Sequence, residues 1–388
     1  MTGSPVRYSP DVEQRQPDEA DTIQQLNEAF DVILERTAED YSHAVRSVHA
    51  KAHGVLKGEL VIDDALPPEL AQGAFASPGT HEALIRISTN AGDILRDGIS
   101  LPRGLAIKVL DVKGERLPGA DGTAQDFVTN NGKVFVAKDA KTFLGNVKML
   151  AKTTDRMEGT KEVLSMALRG VHNALEAVGL SSPKVDTLGG TPNVDPLGET
   201  YNSVTPYRWG DYIAKYRLVP IAADQVALTG RTVEAGDRPD AIREDVQVKM
   251  ARLNAEWEFQ VQLCRDLEMQ PIEDPTVEWD EEVSPFQRVA VLRVPAQDSW
   301  DPAQVRKIDE ETRFSIWTGL AAHQPLGNVN RARNETYRHS ADFRARVNGC
   351  PYHEPTNAGA CPSGTRKTQH DQSSRLCRQA FVQPPEAP

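Results

Sequence analysis

An α+β fold, an antiparallel β-barrel core with appended helices, is predicted by three features of the sequence. Short β-branched runs recur with partial alternation. Gly and Pro clusters punctuate them. Longer segments with apolar residues near a 3.6-residue period flank them. The 388 residues carry 44 Lys+Arg against 56 Asp+Glu, a net charge of −12, and 39% are hydrophobic. That apolar share is enough for a core, and the acidic balance argues against nucleic acid as a partner. No apolar run reaches the length of a membrane span. The first twenty residues have neither a basic start nor an apolar stretch, so a secretory signal is not expected and a cytoplasmic location is. Four cysteines are too few for a disulfide framework.

Residues 1–20 are polar and Pro-bearing and are expected to be flexible. Residues 21–44 have helical periodicity. Strands are expected at 55–62 (VLKGELVI), 82–89 (EALIRIST), 104–111 (GLAIKVLD) and 126–131 (DFVTNN), followed by helices at about 140–153 and 160–179. After a Pro- and Gly-rich loop, strands return at 211–220, 225–230, 255–264 and 288–295, interrupted by a charged helical segment at 238–252. The barrel thus spans about 45–295. From 302 the chain reads as helical again, with a loop at 323–328 and a helix at 329–347; residues 348–388 form a polar tail without periodicity. The main domain is 21–347.

The helix at 329–347 makes a geometric claim. At about 100° per residue, Arg333, Tyr337 and Arg344 fall within roughly 40° of one another around its axis. One face therefore presents a phenol flanked by two guanidiniums. Such neighbours favour the phenolate, and tyrosinate is a known haem-iron ligand. His49 follows Arg46 by three residues just before a strand, and Arg86 and Ser88, two apart on a strand, share a face. Asn130, Phe135 and Phe143 mark a further stretch. Each of these signals is weak by itself.

Taken in order, the motifs resemble the core of the haem catalase family. RSVHAKAHG is similar to the family's Arg-x-x-His-Ala-Lys stretch, IRISTNAG to its Arg-Phe-Ser-Thr-x-Ala-Gly, and LPRGLAIKV to its Pro-Arg-Gly-Phe-Ala-x-Lys. DFVTNNGKVF resembles its Asp-Leu-x-x-Asn-Asn-x-Pro-x-Phe, and TPYRWGDYIAKYRLVP its later strand with Tyr-Gly-Asp-x-x-Ala-Lys. The resemblance runs from about 40 to 347. It implies a catalase-like barrel, haem b as cofactor, and a role for each matching residue. His49 is the distal base, Asn130 orients the peroxide, and Ser88 holds the His49 ring. Phe143 packs on the haem face. Tyr337 is the axial iron ligand, kept ionised by Arg333. Arg46, Arg86 and Arg344 meet the haem propionates.

A competing Arg-x-x-x-aromatic pattern, Arg313 and Trp317, would put a Trp where the ligand belongs. Arg333 and Tyr337 are preferred because Arg344 then follows the tyrosine by seven residues, as in the family. Departures from the family pattern are Leu101 in place of the channel Asp, Asn90 in place of a channel Val, and Lys133 in place of a Pro; Val48 before His49 matches it. An apolar Leu101 suits a larger hydroperoxide. The chain ends soon after the haem helix, whereas large catalases continue into a nucleotide site, so no NADPH is expected. The expected function is a haem-dependent, catalase-related peroxidase. It would act on H2O2 and/or organic hydroperoxides with an unknown electron donor. The resemblance leaves homo-oligomerisation open. Two alternatives stand beside it. One is a haem enzyme that rearranges fatty-acid hydroperoxides, of the allene oxide synthase or lyase type. The other is a haem-free barrel that binds a ligand. Cys350, His353, Cys361, His370 and Cys377 match no compact zinc spacing.

Overall fold

A computed structural model describes residues 3–151, 193–350, 352, 354 and 355. Nine strands form one antiparallel sheet among these residues. They are β1 (Ala52–Ile62), β2 (Gly79–Thr89), β3 (Arg103–Val109), β4 (Gln125–Asn130), β5 (Tyr201–Asn202), β6 (Tyr207–Trp209), β7 (Tyr212–Pro220), β8 (Ala255–Leu263) and β9 (Gln287–Val294). β1 pairs with β2 on one side and β9 on the other, and the order continues from β2 through β3 and β4 to β5 and from β9 through β8 to β7. The two-residue β5 closes the ring: Asn202 pairs with Asn130 of β4, and Tyr201 with Leu218 of β7. The result is a closed eight-stranded barrel, with β6 hairpinned onto β7. Closure leaves no edge in that ring.

Strand alternation sorts side chains to two faces. Ile85 and Ile87 of β2, Leu105 and Ile107 of β3 and Phe127 of β4 join Trp257 and Phe259 of β8 in one buried cluster, which fills the barrel. Its centre is aromatic: the Phe127 and Phe259 centroids lie 4.9 Å apart, edge to face. The residues between them, Leu84, Arg86 and Ser88 on β2 and Gly104, Ala106 and Lys108 on β3, take the outer face. Register aligns that face in rows. Ser88 stands opposite Gly104, and Gly104 opposite Asn130; Arg86 stands opposite Ala106, and Ala106 opposite Val128.

Four helices of ten residues or more are described: α1 (Glu19–Tyr41), α2 (Ala140–Ala151), α3 (Ala241–Met250) and α4 (Asn328–Asn348). α1, α2 and α4 share a second core. Leu26, Phe30 and Ile33 of α1 meet Leu144 and Val147 of α2 and Ala332 of α4. α4 is fixed at both ends. Its Arg331 bonds Glu13, Glu19 and Glu273, and Gly349 ends it in the left-handed conformation (φ 62°).

The structure departs from the sequence-based expectations in four places. Residues 225–230, expected as a strand, contain the end of a short helix (Ala223–Val226) and a turn. Val226 and Ala227 N–H bond back to Ala222 and Ala223 carbonyls, and the run finds no strand partner. Between 302 and 323 helix is confined to Pro302–Val305 and a π-turn at Arg306–Glu310, then a short 3-10 turn at Ala321–His323. The chain between runs beside β4, where Ser315 N–H donates to Asp126 Oδ2 and Asp126 N–H to Thr318 O. The N-terminal segment, expected to be flexible, docks: Val6 and Tyr8 N–H donate to Cys264 O and Asp211 O, and both side chains pack beside buried Cys264. In the tail, Glu354 reaches fully buried Lys108 at 2.8 Å, on the face where Lys108 also pairs with Asp126 at 2.8 Å. The expected helix at 160–179, and His353, Cys361, His370 and Cys377, lie outside the described residues.

The Lys108 pairings hold two carboxylates in the protein interior. Burial pushes Asp126 up to about 7, with Lys108 pulling the other way and Glu354 adding to the rise. Removing the shared cation from such a group costs about 3–5 kcal/mol, because both acids are left without a counter-charge. We expect Lys108→Ala to lower the unfolding free energy by about that amount at pH 7.5 in urea titrations. Loss of less than about 1 kcal/mol would mean that the pairings are not formed in solution.

Candidate active site

A cavity lies between the barrel's outer face and α4. About 650 Å³ of empty space lies within it, including space open to solvent. Arg86, Ser88, Gly104, Ala106 and Val128 line the barrel side, and Tyr337, Ser340, Ala341 and Arg344 the helix side. Arg46, Val48 and His49, from the loop before β1, line it as well, with Arg313 and Phe314.

His49 is held by four constraints. Its backbone is in the left-handed region (φ 53°), unusual for a residue with a side chain. Its N–H donates to Asn90 O at 3.1 Å, and its Nδ1 lies 3.1 Å from Ser88 Oγ. The ring lies against Gly104: a Cβ added there would stand 2.5 Å from His49 Cε1 and 2.7 Å from Nδ1. Only a residue without a side chain allows that approach. Burial, and then the Arg86, Arg333 and Arg46 guanidiniums, pull His49 down to about 3. The ring is therefore neutral at pH 7 and can accept a proton.

On α4, Arg333 donates to the Tyr337 oxygen through Nη2 at 2.9 Å and Nε at 3.3 Å. Asn330 Oδ1, three residues earlier on the helix, accepts from Arg333 Nη1 at 3.1 Å and fixes the fork. Burial works against the Arg333 charge, but Tyr337 and Tyr207 outweigh it and hold the guanidinium firmly protonated. Arg313 lines the cavity and pairs with Glu354 at 3.6 Å, whereas Trp317 donates its ring N–H to Pro118 O and does not line the cavity. The Arg333–Tyr337 pair therefore faces the site.

Three guanidiniums converge on one residue, Asp309, two on its carboxylate and the third on its main-chain carbonyl. Asp309 Oδ1 accepts from Arg46 Nη1 at 2.5 Å and Arg86 Nε at 2.7 Å, and its carbonyl accepts from Arg46 Nη2 at 2.6 Å and Arg344 Nη2 at 3.2 Å. Burial opposes the Asp309 charge, but Arg86 and Arg46 hold its carboxyl well below the usual range. Arg344 Nε is buried and has no hydrogen-bond partner among the described residues.

The cavity thus gathers His49, Ser88, Arg46, Arg86, Tyr337 and Arg344 from the expected set, with Arg333 directly behind Tyr337. Two expected residues do not line it. Asn130 stands beside Gly104 in register, and its Oδ1 accepts from Gly132 N–H at 2.6 Å. Phe143 packs against Phe135, with centroids 5.2 Å apart, among the helical core. Leu101 and Asn90 do not line it either. Leu101 is buried with its carbonyl on Arg103, and Asn90 holds the His49 backbone. Asp309, Phe314 and Ser340 were not expected in the site. Asp309 lies in the acidic run DEE, 263 residues from Arg46, so only the fold reveals its place.

The structure is similar to that of a fungal catalase, with 18% identity and a TM-score of 0.54 over 89% of this chain and 73% of that one. Catalase A from Saccharomyces cerevisiae gives 17% identity and the same TM-score over 89% and 75%. The fold is catalase-like. No family model matches the chain, and no curated protein matches it in sequence. No helix among the described residues is long and apolar enough to cross a membrane.

For the haem that the sequence resemblance implies, Tyr337, Arg46, Arg86 and Arg344 are the residues that could hold it. A phenol oxygen held by a guanidinium lines the same cavity as a neutral imidazole. Guanidiniums for carboxylate groups stand at its edge, one with a buried, unpartnered N–H.

The depressed His49 titration has a consequence for stability. In the unfolded chain His49 takes up a proton near pH 6.5; in the folded protein it resists until about 3. Stability linked to His49 is full above 6.5 and falls as pH drops from 6.5 through 3. We expect His49→Gln to flatten the fall in unfolding free energy between pH 6.5 and 4. An unchanged slope would show that the ring already protonates in the folded state.

Proposed function

We propose that the chain is a haem-dependent, catalase-related peroxidase acting on H2O2 and/or organic hydroperoxides. The observation that carries this reading is a single cavity lined by both a guanidinium-bound tyrosine and a neutral, rigidly held histidine. The catalase-like fold supports it.

Tyr337 would hold the haem iron through its oxygen, and Arg333, donating two N–H groups, suits an oxygen that carries negative charge. Arg46, Arg86 and Arg344 would hold the propionates. The haem, when bound, supplies the redox chemistry of O–O cleavage. His49 does the proton work. With Nδ1–H donating to Ser88 Oγ, Nε2 is left as the base. It would take a proton from one peroxide oxygen and return it to the other, departing oxygen. Ser88 Oγ holds the ring, the Asn90 carbonyl holds its backbone, and Gly104 leaves it room. The apolar walls, Val48, Leu105, Val128 and Phe314, limit water at this point.

Two experiments test the reading. Protein purified with added haem is expected to show a Soret band near one haem per chain, shifted or lost in Tyr337→Phe. Absence of a band in the wild type would leave a haem-free barrel. In loaded protein, His49→Gln is expected to lower kcat/KM for peroxide by about 10²–10⁴-fold with the Soret band retained. Full activity in that variant would remove His49 from the mechanism. If organic hydroperoxides yield an allene oxide or aldehyde with no reductant consumed, the enzyme rearranges its substrate instead of reducing it.

A further inference from the structure

A second cavity lies behind the arginine wall of the first. It encloses about 520 Å³ of empty space, part of it open to solvent. Arg46 and Arg344 line both cavities, so the two meet across a wall of guanidiniums. Charge and shape differ on the two sides. The outer cavity adds His43, Ile94, Arg243 and Trp300. Trp300 carries Arg243 over its ring at 4.6 Å, and Arg243 also pairs with Asp240. Lys51 lines the cavity but is already bound to Asp97, Leu95 O and Pro239 O. Glu310 is engaged by His43 at 2.9 Å.

The wall retains positive charge after these pairings. Arg46, Arg86 and Arg344 face two carboxylates, Asp309 and Glu310. Among the described residues the buried Nε of Arg344 has no hydrogen-bond partner, and the Tyr352 ring lies 5.5 Å from its guanidinium carbon. A guanidinium with an unfilled donor and an indole ring line the same cavity, a pairing that suits a planar aromatic anion.

We propose that the outer cavity binds a small aromatic carboxylate, its ring against Trp300 and its carboxylate on the Arg46–Arg344 wall. The purpose of the site rests on the peroxidase reading. A phenolic carboxylate bound there would be the reductant. Each donor gives up one electron and one proton, and two such donors convert ROOH to ROH and water.

The probe is 4-hydroxybenzoate, titrated calorimetrically and by tryptophan fluorescence into haem-free and haem-loaded protein. Saturable binding at one site per chain is expected in both forms, with quenching that Trp300→Phe removes while the calorimetric signal persists. Ile94→Trp fills only the outer cavity and is expected to weaken binding at least tenfold with the Soret band unchanged. Arg344→Gln, measured in haem-free protein, is expected to weaken it by a similar factor. No saturable binding to the wild type, or equal binding to Ile94→Trp and Arg344→Gln, would overturn the proposal. Haem loading without benzoate binding would leave the peroxidase reading standing and remove this site. Benzoate binding with these dependences in a protein that takes no haem would do the reverse.

Discussion

Three buried guanidiniums around Asp309 are the constraint on which the rest of the site depends. Arg46 precedes β1, Arg86 lies within β2, and Arg344 lies in the last turns of α4. Asp309 reaches all three through its carboxylate or its own carbonyl. Without it, like charges would be confined in a medium of low dielectric, where their repulsion is strong. The π-turn at Arg306–Glu310 follows from this demand, since it presents a side-chain oxygen and a main-chain oxygen of one residue to the same cluster. The junction ties loop, barrel and helix together and sets the spacing between His49 and Tyr337.

The barrel contributes by its outside. Its interior is packed with aromatic and branched side chains and offers no room for chemistry. The outer face of β2–β4, by contrast, carries Arg86, Ser88, Lys108 and Asp126, all buried, and the chain from Asp309 to Thr318 runs against it. Polar residues on that face must find partners or a ligand. Lys108 and Asp126 find each other. Arg86 finds Asp309. Ser88 finds His49. Gly104 stands between these rows and gives the imidazole ring its seat.

Much of this was legible in the sequence, for physical reasons that differ by element. Seven of the long strands' cores were marked by β-branched runs with Gly and Pro between them. Residues 225–230 carry the same texture but form no strand, because a short apolar run does not distinguish strand from helix and no neighbour strand pairs with it. The Arg333–Tyr337–Arg344 face needed only helical periodicity. The docking of residues 5–12 was not visible, since the bonds that hold them come from the backbone of residues 211 and 264. Nor was Asp309, whose partners are distant in sequence, or the position of Asn130 beside the cavity instead of in its wall.

In the proposed function, Tyr337 and His49 serve one haem bound in this cavity. The most direct measurement is an anomalous diffraction map at the iron edge from crystals of the haem-loaded protein. The account predicts one iron peak per chain within bonding distance of the Tyr337 oxygen, with the His49 ring on the opposite side of the porphyrin. An iron peak elsewhere, or density for Tyr337 turned out of the cavity with iron held by another residue, would contradict it.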